Sequence, residues 1–325
     1  MQASQNLSSA PLISFIVTTY NLPVGMLREC LDSILRLSLT KEKREIIVVD
    51  DGSDISPLTE LSDIQDDIIY LRQRNKGLSA ARNKGLLCAT GEFVQFVDGD
   101  DFLLQAPYEH CLDIIRYQDA DIVMFHETQT RTSKTPFWFD GPMTGAAYMH
   151  QNNLRSAVWG YIFRRNMLGS LRFPEGRIHE DEEFTPLLVL CAENLYSTQA
   201  KAYFYRKREN SIMNKRNKRH TVKRFNDTIA AILRLREVAD RLPEMEGQAL
   251  NRRIAQLSMD YLYNTIKLTH SNKHLNEAIE TLYQYGLYPL PDKKYTKKYT
   301  LFRNLIGNSL GRKLLMVAIK PKILS

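Results

Sequence analysis

The run Phe93-Val94-Gln95-Phe96-Val97-Asp98-Gly99-Asp100-Asp101 constrains this chain more than any other stretch. A short, β-rich apolar segment ends abruptly in three carboxylates and one glycine. Apolar strands of this kind are buried on both faces, as in parallel sheets covered by helices. Charge at the end of such a strand falls in the crevice beyond the sheet, where open α/β sheets take their ligands. Carboxylates packed this closely repel one another unless a cation neutralises them. Hard divalent ions take oxygen ligands, and Mg2+ is held by one or two carboxylates together with substrate phosphates. Taken alone, the run fits either a metal–diphosphate site or a polar turn after a strand, because Asp-Gly is also a turn signal.

A second acidic strand end favours the ligand site. Glu45-Ile46-Ile47-Val48-Val49-Asp50-Asp51-Gly52-Ser53 repeats the pattern, and Ser14–Thr19 leads into Tyr20-Asn21. Three strands ending in ligand-type residues within the first hundred positions imply one shared crevice. In it Tyr20 can stack on a base, Asp50 or Asp51 can accept hydrogen bonds from a base edge or ribose, and Asp98 and Asp100 can hold a metal and a diphosphate.

Strand and helix patterns alternate through this half. Strands are expected over Leu12–Thr19, Glu45–Asp50, Asp67–Arg72, Glu92–Val97 and Asp121–Phe125. Helices are expected near Met26–Leu37, Leu78–Thr90 and Pro107–Arg116, the first with Leu27, Leu31, Ile34 and Leu35 on one face. The alternation predicts an α/β fold with a mostly parallel sheet and helices on both faces. Residues 128–145 read as a loop or irregular hairpin, Asp181–Cys191 as a helix, Ala200–Arg206 as a last strand, and the chain beyond His220 as helical.

Charge divides the chain. Residues 1–200 carry 18 Lys and Arg against 27 Asp and Glu, whereas residues 201–325 carry 26 against 10. This predicts a catalytic domain over 1–210 and a basic helical module over 211–325. Basic clusters at 215–219 and 293–298 precede Leu301–Leu324, where Phe302, Leu305, Ile306, Leu310, Leu314, Leu315, Val317 and Ile319 alternate with Arg and Lys. Such a helix either lies on an anionic membrane through 293–325 or packs on the module with a solvated basic face. Nucleic acid is not expected, since no aromatic-basic recognition motif or zinc site accompanies the charge. No run is apolar for 18 residues, and Met1–Ala10 lacks the basic start and apolar core of a secretory signal. The expectation is a cytoplasmic protein, with peripheral association at the inner face of the cell membrane. Cys30, Cys88, Cys111 and Cys191 form no Cys-x-x-Cys pair and read as reduced core residues.

The segments Ser14–Asn21, Glu45–Ser53, Asn75–Asp101 and Ala157–Phe184, in this order and spacing, resemble the family-2 glycosyltransferases of the GT-A fold, of the bacterial surface-polysaccharide type. The resemblance covers most of residues 12–210. It implies an inverting transfer of a sugar from a nucleotide-sugar, usually a UDP-sugar, to a hydroxyl of a saccharide or lipid-linked acceptor. It also implies Mg2+ or Mn2+ held by Asp98 and Asp100. The donor site would comprise Thr19, Tyr20, Asn21, Asp50, Asp51, Lys76, Arg82, Asp98 and Gly99. Arg82 follows the Asn75-Lys76-Gly77 loop and matches an arginine that helps bind the nucleotide; the alternative is a surface arginine. In Ile178-His179-Glu180-Asp181, Asp181 matches the family's base, with Glu180 as the other candidate. Both are also good helix-start residues, where carboxylates are common.

The resemblance is incomplete at one point. Many relatives carry a histidine near the end of the last strand, and here Arg208 stands. An arginine ligates no metal, so Arg208 is expected either to clamp the diphosphate or to lie on a basic surface. Trp159 and His179 are assigned to the acceptor, with core packing as the alternative for Trp159 and Tyr161. A nucleotidyltransferase would need a Gly-rich, basic loop after the first strand, and Thr18–Pro23 is not one. A non-catalytic membrane module of the same fold would have no use for Asp98, Asp100 and Asp181 together.

Overall fold

The computed structural model describes residues 10–132, 134–136, 138–208 and 218–321. In chain order they form β1 (Ile13–Thr19), α1 (Val24–Leu35), β2 (Arg44–Asp50), β3 (Ile69–Arg72), α2 (Leu78–Cys88), β4 (Phe93–Asp98), β5 (Phe102–Leu103), α3 (Gln105–Tyr117) and β6 (Ile122–Thr128). There follow β7 (Asp140–Met143), α4 (Gly145–Gln151), β8 (Tyr161–Arg164), α5 (Asp181–Leu190) and β9 (Leu195–Phe204).

One sheet joins the strands in the order β3-β2-β1-β4-β8-β6-β9-β5, with β7 paired to β9. β3, β2, β1 and β4 are parallel. Beyond β4 the sheet is mixed: β8 runs antiparallel to both β4 and β6, β6 is parallel to β9, and β5 and β7 are antiparallel to β9. The mostly parallel sheet read from the sequence is therefore the half that carries the acidic turns. β5, β7 and β8 have two, four and four residues, too short for a periodic signal. Residues 128–145, expected as a loop or irregular hairpin, contain β7, which pairs with β9, and the first residue of α4.

Every residue of β1 is buried, and its alternation sorts the two faces. Phe15 and Val17 join Leu27, Leu31 and Ile34 of α1 and Tyr108 and Leu112 of α3 in one core. On the opposite face Ile16 meets α2, and Phe96, its register partner on β4, packs on Phe173 and on Phe184 of α5 with ring centroids 5.4 and 6.4 Å apart. Helices on both faces explain why these strands are apolar at consecutive positions. All four cysteines are free; Cys30 and Cys111 are core residues as expected, while Cys191 is exposed.

The chain divides into two compact units, one made of residues up to Gly145 with Arg155–Arg208, the other of Ala146–Leu154 with the residues after Arg208. The second unit contains α6 (Lys218–Ala239), α7 (Glu244–Thr269), α8 (Asn272–Gln284), α9 (Lys297–Ile306) and α10 (Ser309–Ala318). α7 packs against α6, α8 and α9, and α10 against α9. Its link to Ala146–Leu154 includes Arg253, which donates to the Leu154 carbonyl at 2.9 Å. The basic cluster at 215–219 lies largely outside the described residues. Among those described, no helix is long and apolar enough to cross a membrane.

α2 approaches β1 through Gly85, where a Cβ would stand 2.3 Å from Ile16 Cγ2. Ile16 is fully buried and has nowhere to yield. Gly85→Ala should destabilise the protein by about 1–3 kcal/mol in urea unfolding, and Ile16→Ala in the same chain should recover part of the loss.

Candidate active site

Register brings the acidic turns together. Thr18 pairs with Asp98 across β1 and β4, Thr19 with Asp50 across β1 and β2, and Asp50 with Arg72 across β2 and β3. Because these strands are parallel, all the turns open on the same edge. The Gly99 amide donates to the Thr18 carbonyl at 3.0 Å, and a Cβ on Gly99 would meet that oxygen at 2.8 Å, so only glycine fits the turn.

Asp50 is fully buried. It accepts from the Ser53 amide at 2.8 Å and the Tyr70 hydroxyl at 2.7 Å, with the Arg72 guanidinium 3.4 Å away. Asp51 accepts from the Lys76 and Gly77 amides at 2.9 and 2.8 Å and from the Gln73 side chain at 2.8 Å. It thus caps α2 from another strand, placing an anion at the helix N-terminus. Both carboxylates, assigned from the sequence to the nucleotide, brace the floor of the crevice. Tyr20 presents a half-exposed ring. Asn21 takes a left-handed φ of 47°, donates its amide to Ser53 Oγ and exchanges hydrogen bonds with Asp54. The Lys76 side chain is exposed. An open depression of about 590 Å³, lined by Gly52, Arg72, Gln73, Arg74 and Asn75, adjoins these turns.

Arg82 lies beneath the crevice, 4% exposed, rather than at its rim. Its guanidinium donates to Glu180 Oε1 at 2.6 Å and Asp98 Oδ1 at 3.0 Å, 5.5 Å from the centre of the Phe173 ring. Burial works against its charge, but the carboxylates of Asp98, Glu180 and Asp181 outweigh it and raise its pKa. Its donors serve the acidic residues of the site, which the expectation of a nucleotide contact did not foresee.

Asp100 is ion-paired with Arg208. Burial and the neighbouring Asp98 charge nonetheless hold its carboxyl above the usual range. Asp101, which the sequence reading did not single out, is pushed up to about 8, chiefly by burial and then by Asp98 and Asp100. Arg206 braces both: its amide donates to Asp101 Oδ1 and its Nε to the Asp100 carbonyl, each at 2.7 Å, and its Nη2 reaches Glu29 at 2.5 Å. Tyr203 was also missed; its hydroxyl accepts from the Asp98 amide at 3.0 Å. Small residues at Ala200 and Ala202 and rings at Tyr203 to Tyr205 were the signal that this strand is packed against the Asp cluster.

Asp181 is the first residue of α5, and Glu180 its N-cap. Glu182 accepts from Ser156 Oγ at 2.7 Å, and Glu183 pairs with Arg177 at 2.6 Å. His179 takes a left-handed φ of 62° at the turn into the helix. Trp159 is half-buried and stacks on Tyr203 at 4.6 Å between centroids and on Tyr205 at 5.8 Å. Tyr161 is a core residue, hydrogen-bonded to Thr185 at 2.9 Å.

The crowded carboxylates of Asp98 and Asp100 fit a divalent cation, which would relieve the repulsion that burial sharpens. Each already carries an arginine on one oxygen. Among the described residues no three His, Cys, Asp or Glu side chains are grouped to hold a metal by themselves. Mg2+ or Mn2+ here would complete its shell with phosphates and water.

An α/β sheet whose parallel half ends in acidic turns, with an acid-rich helix start tied to the same turns, is an arrangement that fits the GT-A fold. Residues 14–170 match the profile of Glycosyl transferase family 2. It is 33% identical over 222 residues to the glycosyltransferase GlyA of Streptococcus pneumoniae serotype 4, covering 62% of this chain and 31% of GlyA. It is 30% identical over 223 residues to the uncharacterized glycosyltransferase EpsJ of Bacillus subtilis, covering 62% of this chain and 63% of EpsJ. The chain thus spans less than two thirds of the length of either relative. The crystal structure of S. aureus TarS 1–349 in complex with UDP-GlcNAc superposes with a TM-score of 0.69 at 19% identity, covering 94% of this chain and 88% of that one, and shares the fold.

Removing Arg82 leaves two carboxylates without their buried cation. Arg82→Ala should cost about 3–5 kcal/mol in urea unfolding. Arg82→Lys, a point charge without the planar fork, should restore only part of it. Adding Glu180→Gln to Arg82→Ala should cost less than the sum of the single changes.

Proposed function

We propose that this protein transfers a sugar, with inversion, from a nucleotide-sugar to a hydroxyl of a saccharide or lipid-linked acceptor in surface-polysaccharide synthesis, at the cytoplasmic side of the membrane. The donor in this reading is a UDP-sugar, the nucleotide-sugar bound in the TarS complex. The observation that carries it is Arg82, whose two ion pairs tie the donor-side strand end at Asp98 to the start of the acceptor-side helix at Glu180.

Directly after Glu180, which is tied to Arg82, Asp181 stands at the first position of α5. The helix N-terminus favours its ionised form. In the reaction Asp181 takes the proton of the acceptor hydroxyl, and the oxygen attacks the anomeric carbon from the face opposite the diphosphate. The bond from that carbon to the diphosphate oxygen breaks, and the leaving group keeps the electron pair. Arg208 turns from Asp100 to the diphosphate and meets the charge that develops there. Mg2+ or Mn2+ on Asp98 and Asp100 would supply Lewis-acid stabilisation of the same leaving group. Tyr20 stacks on the base, Asn21, Thr19 and Lys76 line the donor, and Trp159 and His179 face the acceptor.

The test is a melting-temperature screen of the purified protein with UDP and UDP-sugars, with and without Mn2+. Stabilisation by UDP that depends on Mn2+ supports the reading, since a ligand of the native state raises the melting temperature by mass action. No shift with any nucleotide would overturn it. Asp100→Ala should abolish the metal-dependent part. Asp181→Asn should keep the shift and lower transfer by roughly 10²–10⁴-fold, and normal turnover by this variant would remove Asp181 from the role of base. Arg208→Ala should weaken UDP binding about tenfold by titration calorimetry.

A further inference from the structure

α10 carries apolar residues on two sides. Gly311, Leu315 and Met316 are buried, and with Phe302 and Ile306 of α9 they account for part of the amphipathic pattern in the sequence as packing within the helical unit. A second row remains outside. Leu310, Leu314 and Val317 are 69, 54 and 83% exposed. Their spacing of four and three residues sets them in one stripe along the helix. Lys313 and Lys320, both exposed, flank it. Residues 293–325 contain nine Lys and Arg and not one Asp or Glu.

The inner stripe already serves the fold, so three large aliphatic side chains left in water need another explanation. A soluble polyanion or a nucleic acid would engage the charges and leave the row wet. An anionic lipid surface engages both, with aliphatic side chains at the acyl boundary and lysines among the headgroups. We propose that the outer stripe of α10 docks this protein on an anionic bilayer. The inference rests on exposure, spacing and charge, and stands independently of the sugar-transfer reading.

The experiment is co-sedimentation of the full chain with vesicles of phosphatidylglycerol and phosphatidylcholine in equal parts, and with vesicles of phosphatidylcholine alone. Binding to the first, weakened by salt, and little to the second is the expected result. The triple variant Leu310→Ser, Leu314→Ser, Val317→Ser should keep the wild-type melting temperature and lose at least roughly tenfold in vesicle affinity. Equal binding to neutral vesicles, or unchanged binding by the variant, would overturn the proposal. So would a variant that melts early, because the row would then be core. A self-association of the wild type that the substitutions abolish, without vesicle binding, would assign the stripe to a second copy of the chain.

Discussion

The site depends on one buried guanidinium held between two carboxylates that are far apart in sequence. Arg82 can reach Asp98 and Glu180 at once because α2 lies close against the sheet, and it lies close because Gly85, one turn further along the same helix face, has no side chain to hold it away from Ile16. Backbone contact on the floor of the fold is thereby converted into charge placement at its edge. A buried ion pair adds little net stability, since desolvation offsets the attraction, but breaking one is costly. The pair therefore acts as a constraint on where the carboxylates sit more than as a source of folding energy. Arginine suits this because its planar fork addresses two acceptors along fixed directions, which an ammonium does not.

The acidic turn on β4 is managed by a division of labour. Asp98 and Asp100 each take one arginine, while the carboxyl of Asp101, 2% exposed, is pushed up to about 8 by burial and by its two neighbours. Arg206 joins this turn to Glu29 of α1, and the Glu29 carboxyl lies below its usual range, first through the hydrogen bond from Arg131 and then, against burial, through Arg206. Both arginines lie against the stacked Phe102 and Phe204 rings, 5.1–5.8 Å from their centres. The residue that reaches Asp100, Arg208, thus leaves a strand end that is anchored two residues earlier.

The parallel half of the sheet was legible because each of its central strands is a run of buried residues ending in a polar turn, and the pattern states both the strand and its edge. The roles of individual residues were less so. Asp50 and Asp51 read as ligands in the sequence, with no sign there that one is held by Ser53, Tyr70 and Arg72 and that the other caps a helix that starts 27 residues later, contacts that depend on tertiary pairing. Arg82 was legible as important and not as buried: a helix with a weak apolar stripe gives no sign that its polar face is the one covered. Asp101, Tyr203 and Arg206 act through backbone groups and through strand β9, whose neighbours in the sheet come from distant parts of the chain.

The distribution of charge then separates local from long-range effects. Residues 1–200 carry an excess of acids, although the proposed donor is itself a dianion. At physiological salt an exposed charge is screened within about 8 Å, so the sign of the whole half matters little to a phosphate already in the crevice. What matters is the set of cations within a few ångströms, and those are Arg208, Arg82 at one remove through Asp98, and whatever divalent ion the carboxylates accept. The exposed Lys293, Lys294, Lys297, Lys298, Lys313 and Lys320 obey the opposite logic. Spread over exposed surface, they gain from a partner that is itself extended and of uniform charge, which a single nucleotide is not and a lipid surface is.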